Sequence, residues 1–391
     1  MRLDQETLLE LCRLSDPVGI LSVCVGTTPE RQTHAQPEWA ITLRNALKDL
    51  RQRVRDEGPR SRWTALDGAL DGLRPALDDL VDPKAPGRGR ALYACASSGE
   101  TRRVALQMPL PDVVEFGPTA YVRPLVAALD EGRAAGVAVI DRSGLRVFEW
   151  RFGEAVELFA RDFTEPEGMR ELKGPAAGNP AMSQHQAPQH DLYEERIDNH
   201  RVRFLREEAG RLGSVVDAQR WDRIVVAGDA RFAQPFAEGL PRRRSLGVFR
   251  FDHDLRHASP SEIGQTVQPV LDRAQRDREM ALVREVTERA LGRGQGALGL
   301  TDTLGALVEG RVRHLLYDDG RELSGYRDKD GRLLSDGDTE GPTRSELTPE
   351  PLLVERMIER AFETGAAVTP VDEAAAEALE SYDGVAAFLR W

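Results

Sequence analysis

The residues best able to do chemistry are crowded into one stretch. It runs Lys173-Gly-Pro-Ala-Ala-Gly-Asn-Pro-Ala-Met-Ser-Gln-His-Gln-Ala-Pro-Gln-His190. Its last seven residues hold three glutamines, Gln184, Gln186 and Gln189, and two histidines, His185 and His190. Glutamine has no useful pKa, so it cannot act as a general base. Its amide can hold a water or a ribose hydroxyl in place, which suits a hydrolysis whose base comes from elsewhere, for example from RNA. Gly174 and Gly178 would let the backbone approach a crowded site. The stretch has neither helical nor strand periodicity, which predicts a loop over 173–190. By composition alone it reads as a linker first and a site second.

Other candidates are thinner. Asp229 and Asp252 fall at the ends of expected strands. Carboxylates there could act on a substrate or hold a metal, or cap the helix that follows. His253 and His257 are four apart, but in a charged connector, and no two histidines sit one turn apart on an expected helix. No metal centre is therefore expected. Gly292–Gly299 partly fits a dinucleotide-binding glycine pattern, yet it follows a helix instead of a strand, so it reads as a helix stop. There is no serine nucleophile elbow and no phosphate loop, and no cofactor is expected. Cys12, Cys24 and Cys95 lie in apolar contexts and read as small buried hydrophobes.

The whole chain sets bounds on these sites. Its 391 residues suggest two to three domains. A net charge of −12 argues against attraction of the whole protein to nucleic acid. The charge is uneven: Arg196 to Arg250 holds twelve arginines against seven acids, a local +5, whereas the part after Asp318 is strongly acidic. Arginine outnumbers lysine 49 to 4, which a GC-rich coding bias explains as well as phosphate binding does. No run of apolar residues is long enough to span a membrane, and the first residues read as an acidic amphipathic helix, not a signal peptide. The expected setting is cytoplasmic.

The expected fold class is α/β in three domains, each a mixed sheet with packed helices. Domain one, 1–125, has a helix at 3–14, a strand at 19–25, helices at 37–57 and 64–81, and a hairpin of 91–96 with 103–107. Domain two, 126–256, has a hairpin of 136–140 with 144–150, the loop 173–190, a helix from about Asp191 to Leu212, a strand at 223–227, a short helix and a strand at 246–251. Domain three, 257–391, opens with a charged helix at 260–291 and alternates strands and helices to Trp391, with an Asp- and Gly-rich insertion at 319–346. The helix after the glutamine stretch carries Arg196, His200, Arg201, Arg203 and Arg206.

Four segments resemble one family. Ala297-Leu-Gly-Leu-Thr-Asp-Thr-Leu-Gly-Ala-Leu-Val-Glu-Gly-Arg-Val-Arg-His-Leu-Leu-Tyr317 is similar to the helix–strand segment in the C-domain of the archaeo-eukaryotic peptide release factor superfamily. Tyr382-Asp-Gly-Val-Ala-Ala-Phe-Leu-Arg-Trp391 resembles that domain's closing strand. Ile224-Val-Val-Ala-Gly-Asp-Ala-Arg-Phe232 resembles a strand and turn of its middle domain. The helix with Arg196, His200, Val202 and Phe204 resembles the one that follows the family's Gly-Gly-Gln loop. The first 125 residues do not resemble the stop-codon-reading domain, which points to the bacterial branch, with its ribosome rescue and hibernation factors.

The resemblance implies a release-factor-like middle domain and an α/β/α C-domain. It implies a ribosome partner, through rRNA and peptidyl-tRNA, and a loop that acts on the peptidyl-tRNA ester. Gly-Gly-Gln itself is absent. Spacing back from His200 falls on or near Gln186, so Gln184 and Gln186 are the catalytic candidates. Arg196, His200, Arg201, Arg203 and Arg206 are the RNA-binding candidates, their other reading being a solvated helix face. Two functions follow. The first is a release or rescue factor that is a peptidyl-tRNA hydrolase. The second is a non-catalytic, hibernation-type factor that occupies the A site. The acidity of the third segment suits a protein partner such as a translational GTPase.

Overall fold

The structure is a computed structural model that describes residues 1–32, 36–57, 59–165, 183–243, 246–335 and 347–391; for 57, 183–193 and 293 it describes the main chain only. Two compact units form: residues 1–132 with 275–391, and residues 133–274. The mixed α/β class is as expected. We keep 1–125, 126–256 and 257–391 as a proposed division by chain segment, with the first and third segments meeting in one compact unit.

In the first unit, β1 (Ser15–Gly26), β2 (Gly89–Cys95), β3 (Thr101–Leu106) and β4 (Val113–Thr119) make an antiparallel sheet in the order β3-β2-β1-β4. Two helices cover one face, α2 (Glu38–Glu57) and α3 (Arg60–Val81). Leu66, Leu70, Leu73, Leu77 and Leu80 recur every three or four residues on α3 and all are buried. With Leu43 and Leu50 of α2 they pack on Leu21, Val23, Leu92 and Phe116 of the sheet. Each such leucine contributes roughly 2 kcal/mol relative to exposure. β4 was not expected, because Gly117-Pro118 interrupts its apolar pattern. It is an edge strand whose pairing with β1 shifts register beside Pro118, a place where a proline need not cost a ladder hydrogen bond.

The same unit holds a second sheet, in the order β10-β16-β11-β15, built from β10 (Gly296–Leu298), β11 (Val312–Asp318), β15 (Ala367–Val371) and β16 (Val385–Leu389). Helices α8 (Leu300–Val308), α9 (Leu353–Glu363), α10 (Glu373–Leu379) and the end of α7 (Pro260–Arg293) belong to it. The helix and strand expected around Thr301–Tyr317 are present. The segment read as a helix stop at 292–299 also supplies the short strand β10. Around the 319–346 insertion, β12 (Gly325–Arg327), β13 (Leu333–Leu334) and β14 (Thr348–Glu350) form a small sheet, and 336–346 lie outside the described residues.

The helix α4 (Arg123–Glu131) joins the two parts of this unit. Arg123 is only 2 % exposed, yet fully partnered. Its Nη1 donates to Glu322 Oε1 at 2.7 Å and its Nε to Asp319 Oδ1 at 3.3 Å. Its Nη2 donates to the Asp319 carbonyl. The rings of Tyr121 and Tyr317 lie 5.8 and 5.9 Å from the guanidinium carbon. Burial pushes the nearby Glu355 carboxyl up to about 7, with Arg123 holding it down.

The second unit carries a mixed sheet in the order β7-β6-β5-β8-β9. Its strands are β5 (Ala135–Ile140), β6 (Gly144–Arg151), β7 (Glu154–Asp162), β8 (Arg223–Gly228) and β9 (Gly247–Phe251). β5, β6 and β7 pair antiparallel, whereas β5, β8 and β9 run parallel. One face packs on α5 (Ser183–Gln219) and α6 (Ala230–Gly239), through Leu205, Leu212, Phe232 and Phe236. The other packs on the first half of α7, through Ile263, Val267 and Leu271. Trp150 Nε1 donates to the Gly264 carbonyl at 3.2 Å, where helix and hairpin come close.

Replacing Arg123 by alanine should lower the unfolding free energy by about 2–4 kcal/mol, less than a fully enclosed pair because Asp319 and Glu322 would regain water. Urea unfolding of Arg123→Ala against wild type measures this, and Arg123→Lys should restore only part of the loss, since a lysine cannot reproduce the fork.

Candidate nucleic-acid interface

α5 begins at Ser183, ahead of the expected start near Asp191, so it takes in the last part of the stretch read as a loop. Glutamine and alanine are good helix formers, which lets the helix extend into it. Residues 173–182 and the side chains of Gln184 and Gln186 lie outside the described residues. From residue 194 onward α5 is amphipathic. Ile197, Leu205, Ala209, Leu212 and Val216 are buried at helical spacing.

The five RNA-binding candidates separate by environment. Arg203 is open, its side chain 71 % exposed, with Glu207 at 3.8 Å one turn away. Its Nη2 also lies 3.5 Å from His200 Nδ1, at the limit of a hydrogen bond. Arg206 is 55 % exposed, with Glu238 of α6 at 3.7 Å. Arg196 is exposed on the same helix, and His200 is half-buried. Ion pairs this open contribute little, so the guanidiniums of Arg203 and Arg206 can turn to another anion.

Arg201 differs. Its side chain is 15 % exposed, and its Nη1 donates to Asp198 Oδ1 at 2.7 Å. Its guanidinium carbon stands 5.3 Å from the Phe163 ring, and Phe163 meets Phe204 edge-on at 5.8 Å. Asp198, 5 % exposed, also pairs with Arg231 of α6. Arg201 is thus a fixed plate between the end of β7 and α5. Asp198, Arg231 and Phe163 were not among the residues singled out from the sequence. The Asp198–Arg201 spacing of three on a helix was a visible signal; Phe163 and Arg231 are too far along the chain for any local pattern to show.

At the end of β8, Asp229 is the N-cap of α6, its side chain accepting from the Arg231 backbone N–H at 2.9 Å. That is the capping role foreseen as the alternative to catalysis. The residue before it, Gly228, has φ +135°, and a Cβ there would stand 2.1 Å from the Ile140 carbonyl oxygen. His253 stacks on Phe251 at 5.3 Å. Among the described residues no group of three or more His, Cys, Asp or Glu could hold a metal. No helix among them is long and apolar enough to cross a membrane.

Residues 121–279, which contain this whole unit, match the model of bacterial archaeo-eukaryotic release factor family 10. Over those residues the chain is similar to that release factor-like family; the match spans less than half of the 391 residues. It is also similar to the uncharacterized protein YocB of Bacillus subtilis (strain 168), at 22 % identity over 228 residues, covering 58 % of this chain and 83 % of that protein. Among solved structures it is similar to the archaeal translation termination factor aRF1, at 18 % identity and a TM-score of 0.25, over 99 % of this chain and 98 % of that one. It is likewise similar to Archaeoglobus fulgidus Pelota, at 14 % identity and a TM-score of 0.34, over 77 % and 79 %.

Replacing Asp198 by alanine should cost about 1–3 kcal/mol, because it leaves Arg201 half-enclosed without its acceptor. Circular dichroism during urea unfolding reads the loss. Glu207→Ala, on the open side of α5, should stay within about 0.5 kcal/mol of wild type.

Proposed function

We propose that this chain is a ribosome-associated release or rescue factor that hydrolyses the peptidyl-tRNA ester through Gln184 or Gln186. The observation that supports it most is the family match over 121–279, which takes in the glutamine-bearing stretch and the arginine-bearing helix directly after it. A glutamine amide holds the attacking water against the ester carbonyl, while the ribose hydroxyl and ribosomal groups complete the site. The stabilisation is geometric and electrostatic, with no titrating side chain required.

In this reading Arg196, His200, Arg203 and Arg206 face rRNA phosphates, and Arg201 holds the helix that presents them. Counterion release then makes binding weaken with salt, by about 0.7–0.9 in the logarithmic slope for each phosphate contact. The acidic third segment suits a protein partner, for which a translational GTPase is our candidate. The setting is cytoplasmic.

A second reading is favoured by one specific observation: 173–190 contains no adjacent glycines. Without a glycine pair the backbone is less free to thread a crowded catalytic centre. The same surface would then occupy the A site of an idle ribosome without cleaving anything.

One assay separates the two. Purified protein is mixed with ribosomes carrying peptidyl-tRNA and scored for free peptide. The first reading expects release that falls on the order of 10²-fold in Gln184→Ala or Gln186→Ala. Stoichiometric ribosome binding without release overturns it in favour of the second, and failure to co-sediment at low salt removes both.

A further inference from the structure

The chain crosses between its two units at 132/133 and at 274/275. A buried polar cluster inside the first unit sits next to both crossings. Asp130 of α4 and Gln275 and Glu279 of α7 are 8 %, 4 % and 5 % exposed. Gln275 Nε2 donates to Asp130 Oδ2 at 2.6 Å and to Glu279 Oε1 at 2.8 Å. One amide group therefore ties two acids, one from each helix.

The two acids are not equivalent. Arg278 Nη1 donates to both oxygens of Asp130, at 3.3 and 2.9 Å, and the Thr369 hydroxyl of β15 donates to Oδ1 at 3.2 Å. Thr369 has one proton to give, so His314 Nε2 of β11, 2.9 Å from the same hydroxyl, must be the donor there. Asp130 thus holds the arginine and two further donors. Glu279 is acted on by Gln275, by Asp372 just before α10 and by Asp130. Its Oε2 has no hydrogen-bond partner within ordinary limits. A negative charge on Glu279 would lie beside the carboxylates of Asp372 and Asp130, whereas a proton on Oε2 leaves Oε1 to accept from Gln275.

We propose that Glu279 is held as the neutral acid while α4 and α7 are joined, and that its ionisation loosens this join, making the cluster a pH-set latch on α7. Burial above all pushes its carboxyl up from an ordinary 4.5 to about 8, opposed by the Gln275 hydrogen bond, aided by the charges of Asp372 and Asp130, and opposed slightly by the Asp372 backbone N–H. An acid raised on folding binds more protons folded than unfolded between those two values. Stability from this group therefore falls as pH rises through that window, and above it the folded state carries the buried charge.

The test is thermal unfolding and hydrogen exchange of the full chain at pH 6, 7, 8 and 9, exchange being corrected for its intrinsic rate. Glu279→Gln keeps the Oε1 acceptor and cannot ionise. The wild type should lose melting temperature by up to about 3 °C per pH unit between pH 6 and 8, and lose protection over residues 275–290. Glu279→Gln should flatten both trends. Should Glu279→Gln fail to fold, Glu279→Leu, also unable to ionise, is read the same way. Parallel pH trends in wild type and either variant overturn the latch, as does wild-type protection at 275–290 that does not change from pH 6 to pH 9.

Discussion

The first unit depends on one nine-residue helix being gripped by charge at both ends. α4 begins on Arg123 and carries Asp130 in its last turn, and both are buried. Burying a charge is costly unless its hydrogen bonds are met. Each end meets them with residues far along the chain: Asp319 and Glu322 for Arg123, Gln275, Arg278 and Thr369 for Asp130. Hydrophobic packing alone would leave the helix free to slide along its groove. Two opposite charges with fixed partners set its register.

The second unit uses the same means for a different end. Arginines on α5 are divided by depth, not by type. Arg201 is spent on Asp198 and the Phe163 ring, so that the helix carrying Arg196, Arg203 and Arg206 stays in one position. Arginine suits both tasks because its planar fork stacks, donates and stays charged. A lysine in place of Arg201 would keep the charge and lose the plate.

Much of this was legible in the residues alone. The leucine spacing of α2 and α3, the hairpin of β5 with β6, the strand and turn at Ile224–Phe232 and the helix and strand within Ala297–Tyr317 all carry local patterns that the structure repeats. β4 escaped notice because Gly117-Pro118 reads as a break when the strand's edge position is unknown. α5 starts early because the glutamine stretch has no apolar stripe to mark a helix, although its residues tolerate one. The role of Arg201 was hidden because it depends on Phe163 and Arg231, which only the fold brings together. The cluster at Asp130 and Glu279 was hidden for the same reason: on the sequence, Glu279 is one more acid on a charged helix.

Gly228 sets a limit on the sheet of the second unit. Any side chain there would meet the Ile140 carbonyl and wedge β5 from β8 at the centre of the sheet. The requirement comes from the backbone alone. A substitution at Gly228 would therefore disturb the pairing that carries α5 and α6 before it altered any side chain of the candidate interface.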